Sequence, residues 1–209
     1  MALETVTNTA KTKKAKVRVP KELIYEMRHG SPIYYRDYDK VLSGEKSLEE
    51  VMGSSDLHAW FLYVLMKFLI KSLDEKKYIV LVGELGYRFS KRSWYNLDLA
   101  VYRREKIGKL KGTFTDVPPE VVIEIDTKAD LRKFENPQDY FHRKTQDLLD
   151  SGVKKVIWIF TKDRKIWVAQ KAKPWLIVDW DYEFEVIEGI RLNFAELLKG
   201  EGFQGEVTS

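Results

Sequence analysis

The chain of 209 residues has no cysteine. That excludes disulfides and thiolate metal sites, and it makes a reducing cytoplasm the natural setting. Histidine is confined to His29, His58 and His142. No apolar run approaches the roughly 18 residues that a membrane helix needs, and the N-terminus lacks the apolar core of a secretory signal. A strong charge of one sign is missing too. The 36 basic residues against 32 acidic ones leave +4, a balance compatible with nucleic acid without demanding it. What is present is a globular composition, 44% hydrophobic and 33% charged, long enough for one domain with a real core.

The pattern along the chain gives a basic tail over residues 1–18, a single domain over 19–203 and a flexible end over 204–209. Residues 20–50 read as short helical pieces broken by turns, with Tyr25, Tyr34, Tyr35 and Tyr38 packing them on the domain. An amphipathic helix follows, capped by Ser54 or Ser55, with Leu57, Trp60, Phe61, Val64, Leu65, Phe68 and Leu69 at helical spacing to about Asp74. The period then changes to alternation. Strands are predicted at 78–84, continuing through 86–90, and at 95–103 and 120–127. Asn136-Pro137 opens a second helix that closes at Gly152. Further strands are predicted at 155–160, 165–170, 175–180 and 183–187, and a last helix at 194–199. This order predicts an α/β domain with a mixed central β-sheet flanked by helices, completed by extra antiparallel strands toward the C-terminus.

The informative residues are charges where the pattern demands apolar side chains. In EVVIEIDT (Glu120–Thr127), Val121, Ile123 and Ile125 share one face, while Val122, Glu124 and Asp126 share the other. Glu124 thus sits inside a strand that otherwise reads as buried on both faces. In YNLDLAVYR, Leu97, Leu99 and Val101 are predicted to point one way and Asp98, Ala100 and Tyr102 the other. Glu84 either joins this carboxylate cluster or caps a turn. Lys144 falls in the middle of the apolar stripe made by Tyr140, Phe141, Leu148 and Leu149, where an ammonium must snorkel out or meet carboxylates.

Carboxylates held together repel, so one is protonated or a cation lies between them. Without cysteine and with three histidines, an oxygen-rich site favours Mg²⁺ or Mn²⁺ over Zn²⁺. Such an ion with a lysine nearby suits phosphodiester hydrolysis.

NLDLAVY (Asn96–Tyr102), PPEVVIEIDT (Pro118–Thr127), RKTQDLLDSGVKKVIWI (Arg143–Ile159) and EGIRLNFAELL (Glu188–Leu198) occur in that order. Together they resemble the PD-(D/E)xK nuclease superfamily, and more closely its Uma-two restriction-endonuclease-like family. The resemblance implies a restriction-endonuclease-like fold and Mg²⁺-dependent endonuclease activity on DNA. The alternative is a catalytically inactive nuclease-fold protein that binds nucleic acid or acts in an assembly. Carried over, Asp98 and Glu124 are metal ligands, the Ile125 carbonyl completes the shell, and Lys144 is the catalytic lysine moved onto a helix. Leu97 replaces the family's proline. Asp126 stands where the superfamily's usual lysine would be, either as ligand to a second metal or facing water, and Lys128 is the substitute cation if Lys144 does not reach. His58 matches a polar position of the family and otherwise reads as structural. The basic residues Arg103, Arg104, Lys106, Lys109 and Lys111 follow the Asp98 strand and are candidates for gripping DNA phosphates. A homodimer is a further expectation, since enzymes that cut both strands are often symmetric.

Overall fold

The computed structural model describes residues 18–203. The expectations for the basic tail and the C-terminal end therefore lie outside the described residues, apart from residue 18. Residues 20–50 depart from the predicted run of helical pieces. Strands β1 (Ile24–Arg28) and β2 (Ser31–Tyr34) form an antiparallel hairpin before helices α1 (Tyr38–Ser43) and α2 (Leu48–Met52). The two turn residues explain the difference. His29 and Gly30 both have positive φ, at 50° and 83°, the conformation of a tight hairpin turn. Pro32 is tolerated because β2 lies at the sheet edge.

Helix α3 (Asp56–Ser72) begins where Ser55 accepts a hydrogen bond from the His58 N–H at 3.2 Å. Strands β3 (Tyr78–Ser90) and β4 (Ser93–Arg103) then form a long hairpin. Within it Gly86 is required sterically, since a Cβ there would lie 2.4 Å from the Phe114 ring. The short helix α4 (Arg104–Ile107) opens the basic loop, and β5 (Val121–Ile125) follows it. Helix α5 (Gln138–Asp150) carries the chain to β6 (Lys155–Phe160), which runs parallel to β5. The strands β7 (Lys165–Gln170) and β8 (Leu176–Asp179) extend the sheet antiparallel. A separate hairpin, β9 (Phe184–Ile187) and β10 (Ile190–Leu192), precedes α6 (Phe194–Gly200).

The order β2-β1-β4-β5-β6-β7-β8, with β3 also on β4, makes a mixed and mainly antiparallel eight-stranded sheet. Its two faces are each covered, as the sequence pattern predicts. Phe61, Val64, Leu65 and Leu69 of α3 pack with Leu99, Val101, Ile123 and Ile157 on one face. Tyr140, Phe141, Leu148 and Leu149 of α5 pack with Ala100, Tyr102, Val122 and Trp158 on the other. Trp158 is fully buried and its indole N–H donates to Thr145 Oγ1 at 2.8 Å, so its one polar atom is paired.

One predicted alternation is overturned. Leu97 packs on the α5 face, opposite to Leu99 and Val101. The pairing of Val82 with Leu99 and of Leu85 with Leu97 leaves two β3 residues, Gly83 and Glu84, facing the single residue Asp98, one more than a regular ladder allows. Both have positive φ. Such a bulge bends and twists the strand locally, and the strict two-residue period fails at Asp98.

Candidate active site

Two strands and one helix bring the predicted charges together. The pairs Leu99–Ile123, Ala100–Val122 and Val101–Val121 set the β4–β5 register, and Asp98 and Glu124 are the next residues of the two strands, close enough for Asp98 to raise the Glu124 carboxyl. Asp98 is oriented by the backbone, since its Oδ2 accepts from the Ile125 N–H at 2.8 Å. Its Oδ1 lies 3.4 Å from His58 Nε2. Lys144 enters from α5 with its Nζ 3.1 Å from Glu124 Oε1. Glu124 and Lys144 are each 1% exposed. The lysine does not snorkel.

The helix also meets a carboxylate that the sequence reading missed. Glu26, on β1, is fully buried and accepts from Lys144 Nζ at 2.7 Å and from the Tyr140 hydroxyl at 2.8 Å. The Asn96 carbonyl accepts a further Lys144 hydrogen bond at 2.9 Å. A signal for Glu26 was present in IYEMR, where a glutamate interrupts a short apolar alternation. The turn signals around it, which predict short helical pieces over residues 20–50, mask that alternation.

Electrostatics explain the geometry. Burial pushes the Glu124 carboxyl well above the usual carboxylate range, Lys144 pulls it back down, and Asp98 and Glu26 raise it again. Burial likewise raises Glu26 against the pull of Lys144. For Lys144, burial alone would lower the ammonium. Glu124 and Glu26 outweigh it and hold the group well above the ordinary lysine range. Two buried carboxylates thus share one ammonium, which lies 2.7 Å from Glu26 and 3.1 Å from Glu124 Oε1. A buried carboxylate is expensive unless a countercharge meets it.

Beside Asp98 the surface opens into a cleft of about 180 Å³, lined among others by Arg36, His58, Ile125, Asp126 and Lys128. The other candidates have separate duties. Asp126, at the end of β5 with φ 49°, accepts from the Thr161 N–H at 2.9 Å and from its hydroxyl at 2.6 Å. Both of its oxygens are thus engaged in fixing a strand end. Glu84, in the β3 bulge, forms an ion pair with Lys128 at the cleft rim.

The basic loop stands elsewhere. Arg103 pairs with Glu120 and Glu188, and Lys106 pairs with Glu120 at 2.6 Å, while the Arg104 guanidinium donates to the Glu75 carbonyl. Lys109 and Lys111 line another groove beside Phe114. Glu120 precedes β5 whereas Ile125 ends it, so at 3.3 Å per residue the two regions are about 17 Å apart along the strand.

The donor set suits a hard, oxygen-seeking cation. It comprises the Asp98 carboxylate on the wall of an open cleft and the buried Glu124 carboxyl near it. Among the described residues no group of three or more His, Asp or Glu side chains converges. Magnesium tolerates this, because it is commonly held by one or two carboxylates and keeps several waters. No helix among the described residues is long and apolar enough to cross a membrane.

No curated protein matches the chain. Among solved structures, a putative nuclease belonging to DUF820 from Anabaena variabilis ATCC 29413 superimposes with a TM-score of 0.63, at 13% identity, over 86% of this chain and 92% of that one. At that identity the likeness shows the shared fold. A family model described as "Uma2: Putative restriction endonuclease" matches residues 44–189, a span that includes Asp98, Glu124 and Lys144. The chain belongs to the Uma2 family.

Proposed function

We propose that the protein is a Mg²⁺- or Mn²⁺-dependent endonuclease that hydrolyses phosphodiester bonds of DNA in the cytoplasm. The observation that carries this reading is Asp98 on the wall of an open cleft, with the buried Glu124–Lys144 ion pair near enough for Asp98 to raise the Glu124 carboxyl. Asp98, Glu124 and the Ile125 carbonyl would hold the ion. When bound, the ion would supply Lewis acidity for an attacking water and neutralise charge gathering on the phosphoryl oxygens. The chain's own residues prepare that site. The Ile125 N–H fixes the Asp98 carboxylate by one oxygen and leaves the other toward the cleft. Lys144 lies 3.1 Å from Glu124 Oε1 and pulls the carboxyl, raised by burial, back down.

A second reading, a nuclease-fold protein that binds nucleic acid without cutting it, is favoured by one specific observation. The three donors of Lys144 meet Glu26, Asn96 and Glu124, and Asp126 occupies the superfamily's usual lysine position. Incubating the protein with supercoiled plasmid, with Mg²⁺, Mn²⁺ or EDTA, separates the two. Nicking that needs the metal and vanishes in both Asp98→Ala and Lys144→Ala supports the enzyme. Equal nicking by the variants rejects this site, and salt-sensitive binding without cleavage supports the second reading.

A further inference from the structure

We propose that Arg36 and Lys128 form the grip for the nucleic-acid phosphate backbone, at the rim of the Asp98 cleft. This names the substrate contact of the site just described and rests on that reading. Both residues line the cleft together with Asp98 and Ile125, so a phosphate held by them would sit beside the Asp98 carboxylate. Arg36 is exposed. Its Nη2 donates to the Thr127 carbonyl at 2.6 Å, which aims the guanidinium at the strand end. Among the described residues it has no carboxylate partner, so most of its fork of five N–H donors remains available for bidentate phosphate contact.

Lys128 is held at the rim by the Met52 carbonyl at 2.9 Å and by Glu84. Glu84 is presented by the β3 bulge, at φ 53°. It therefore stations the ammonium at the cleft and competes with an incoming phosphate for it. The alternatives are worse placed. Lys144 is enclosed, with its donors taken. Arg103 and Lys106 are neutralised by Glu120 and Glu188 at the far end of β5.

The test is the affinity of a fluorescein-labelled DNA duplex for the full chain in EDTA, across a salt series, with melting temperature as a check on folding. Arg36→Ala and Lys128→Ala should each weaken binding about tenfold and lower the salt slope by about one. Glu84→Gln should act in the opposite direction and tighten binding, an effect that general damage to the fold would not produce. The double variant Lys109→Ala/Lys111→Ala should leave affinity unchanged. Loss of affinity in that variant, with the rim variants indifferent, would overturn the proposal. The nuclease reading fails separately. Rim-dependent binding by a wild-type protein that never cleaves with Mg²⁺ would leave the grip standing and remove the enzyme. Asp98-dependent cleavage with binding indifferent to Arg36 and Lys128 would do the reverse.

Discussion

Lys144 and Glu26 are separated by 118 positions in sequence, yet their charged atoms lie 2.7 Å apart and both side chains are buried. Breaking a buried ion pair from one side leaves the other charge uncompensated. Lys144→Met should therefore destabilise the metal-free protein by about 3–5 kcal/mol, measured by urea unfolding at neutral pH. A loss below about 1 kcal/mol would show that the carboxylates around it are already neutral.

Glu26→Gln keeps an acceptor for Tyr140 and Lys144 and removes a charge. Lys144 would then be held by Glu124 and the Asn96 carbonyl with less restraint. If Glu26 acts as a positioning residue, the turnover number for plasmid nicking should fall about 10- to 100-fold while KM stays near wild type. An equal loss in DNA affinity, with turnover intact, would remove that role.

Metal binding should be visible without any cleavage. A ligand that binds only the folded state at a hundred times its Kd adds about 2.7 kcal/mol of stability. Mg²⁺ or Mn²⁺ should thus raise the melting temperature of the wild type. Asp98→Asn and Glu124→Gln should lose that increment, and Asp126→Asn should keep it, because the Asp126 oxygens are engaged with Thr161. An unchanged metal-induced shift in Asp98→Asn would place the ion elsewhere.

The buried tyrosines dictate behaviour in alkali. Burial pushes Tyr35 up to about 12, with Glu84 and Glu26 adding to it, and burial raises Tyr25, Tyr95, Tyr102 and Tyr140 as well. A phenol whose folded pKa is raised contributes its stability in full below about pH 10, its unfolded value, and loses it as pH rises through the folded value. Tyrosinate absorbance from these residues should therefore appear together with loss of far-ultraviolet circular dichroism between about pH 10 and 12. Their smooth titration near pH 10 with the fold intact would contradict the packing described.

Thr145→Val removes the hydroxyl to which the Trp158 indole donates at 2.8 Å in a fully buried setting. The orphaned N–H should cost about 1–3 kcal/mol, read from the shift in denaturant midpoint. Thr145→Ser, which keeps the hydroxyl, should recover most of it.

Much of the architecture was legible beforehand because it depends on local periods. The stripe of α5 placed Lys144 among apolar neighbours, and the apolar run around Glu124 marked it as buried; both properties follow from spacing along one element. The β1–β2 hairpin was not legible in the same way. Its strands are four and five residues long, too short for a period to stand out, and its turn depends on His29 adopting a positive φ that the residue type does not announce.

By itself the sequence determined the helix-and-strand order, the two covered faces of the sheet and the candidacy of Asp98, Glu124 and Lys144, since each of these rests on chemistry within a few residues. Only the tertiary structure decided that Glu26 joins Lys144, that the bulge at Gly83 and Glu84 interrupts alternation at Asp98, and that Arg36 and Lys128, rather than the basic loop, border the cleft. These depend on strand register and on which end of the sheet a loop leaves. Charges distant along the chain meet or part according to how the strands are aligned, which no local pattern records.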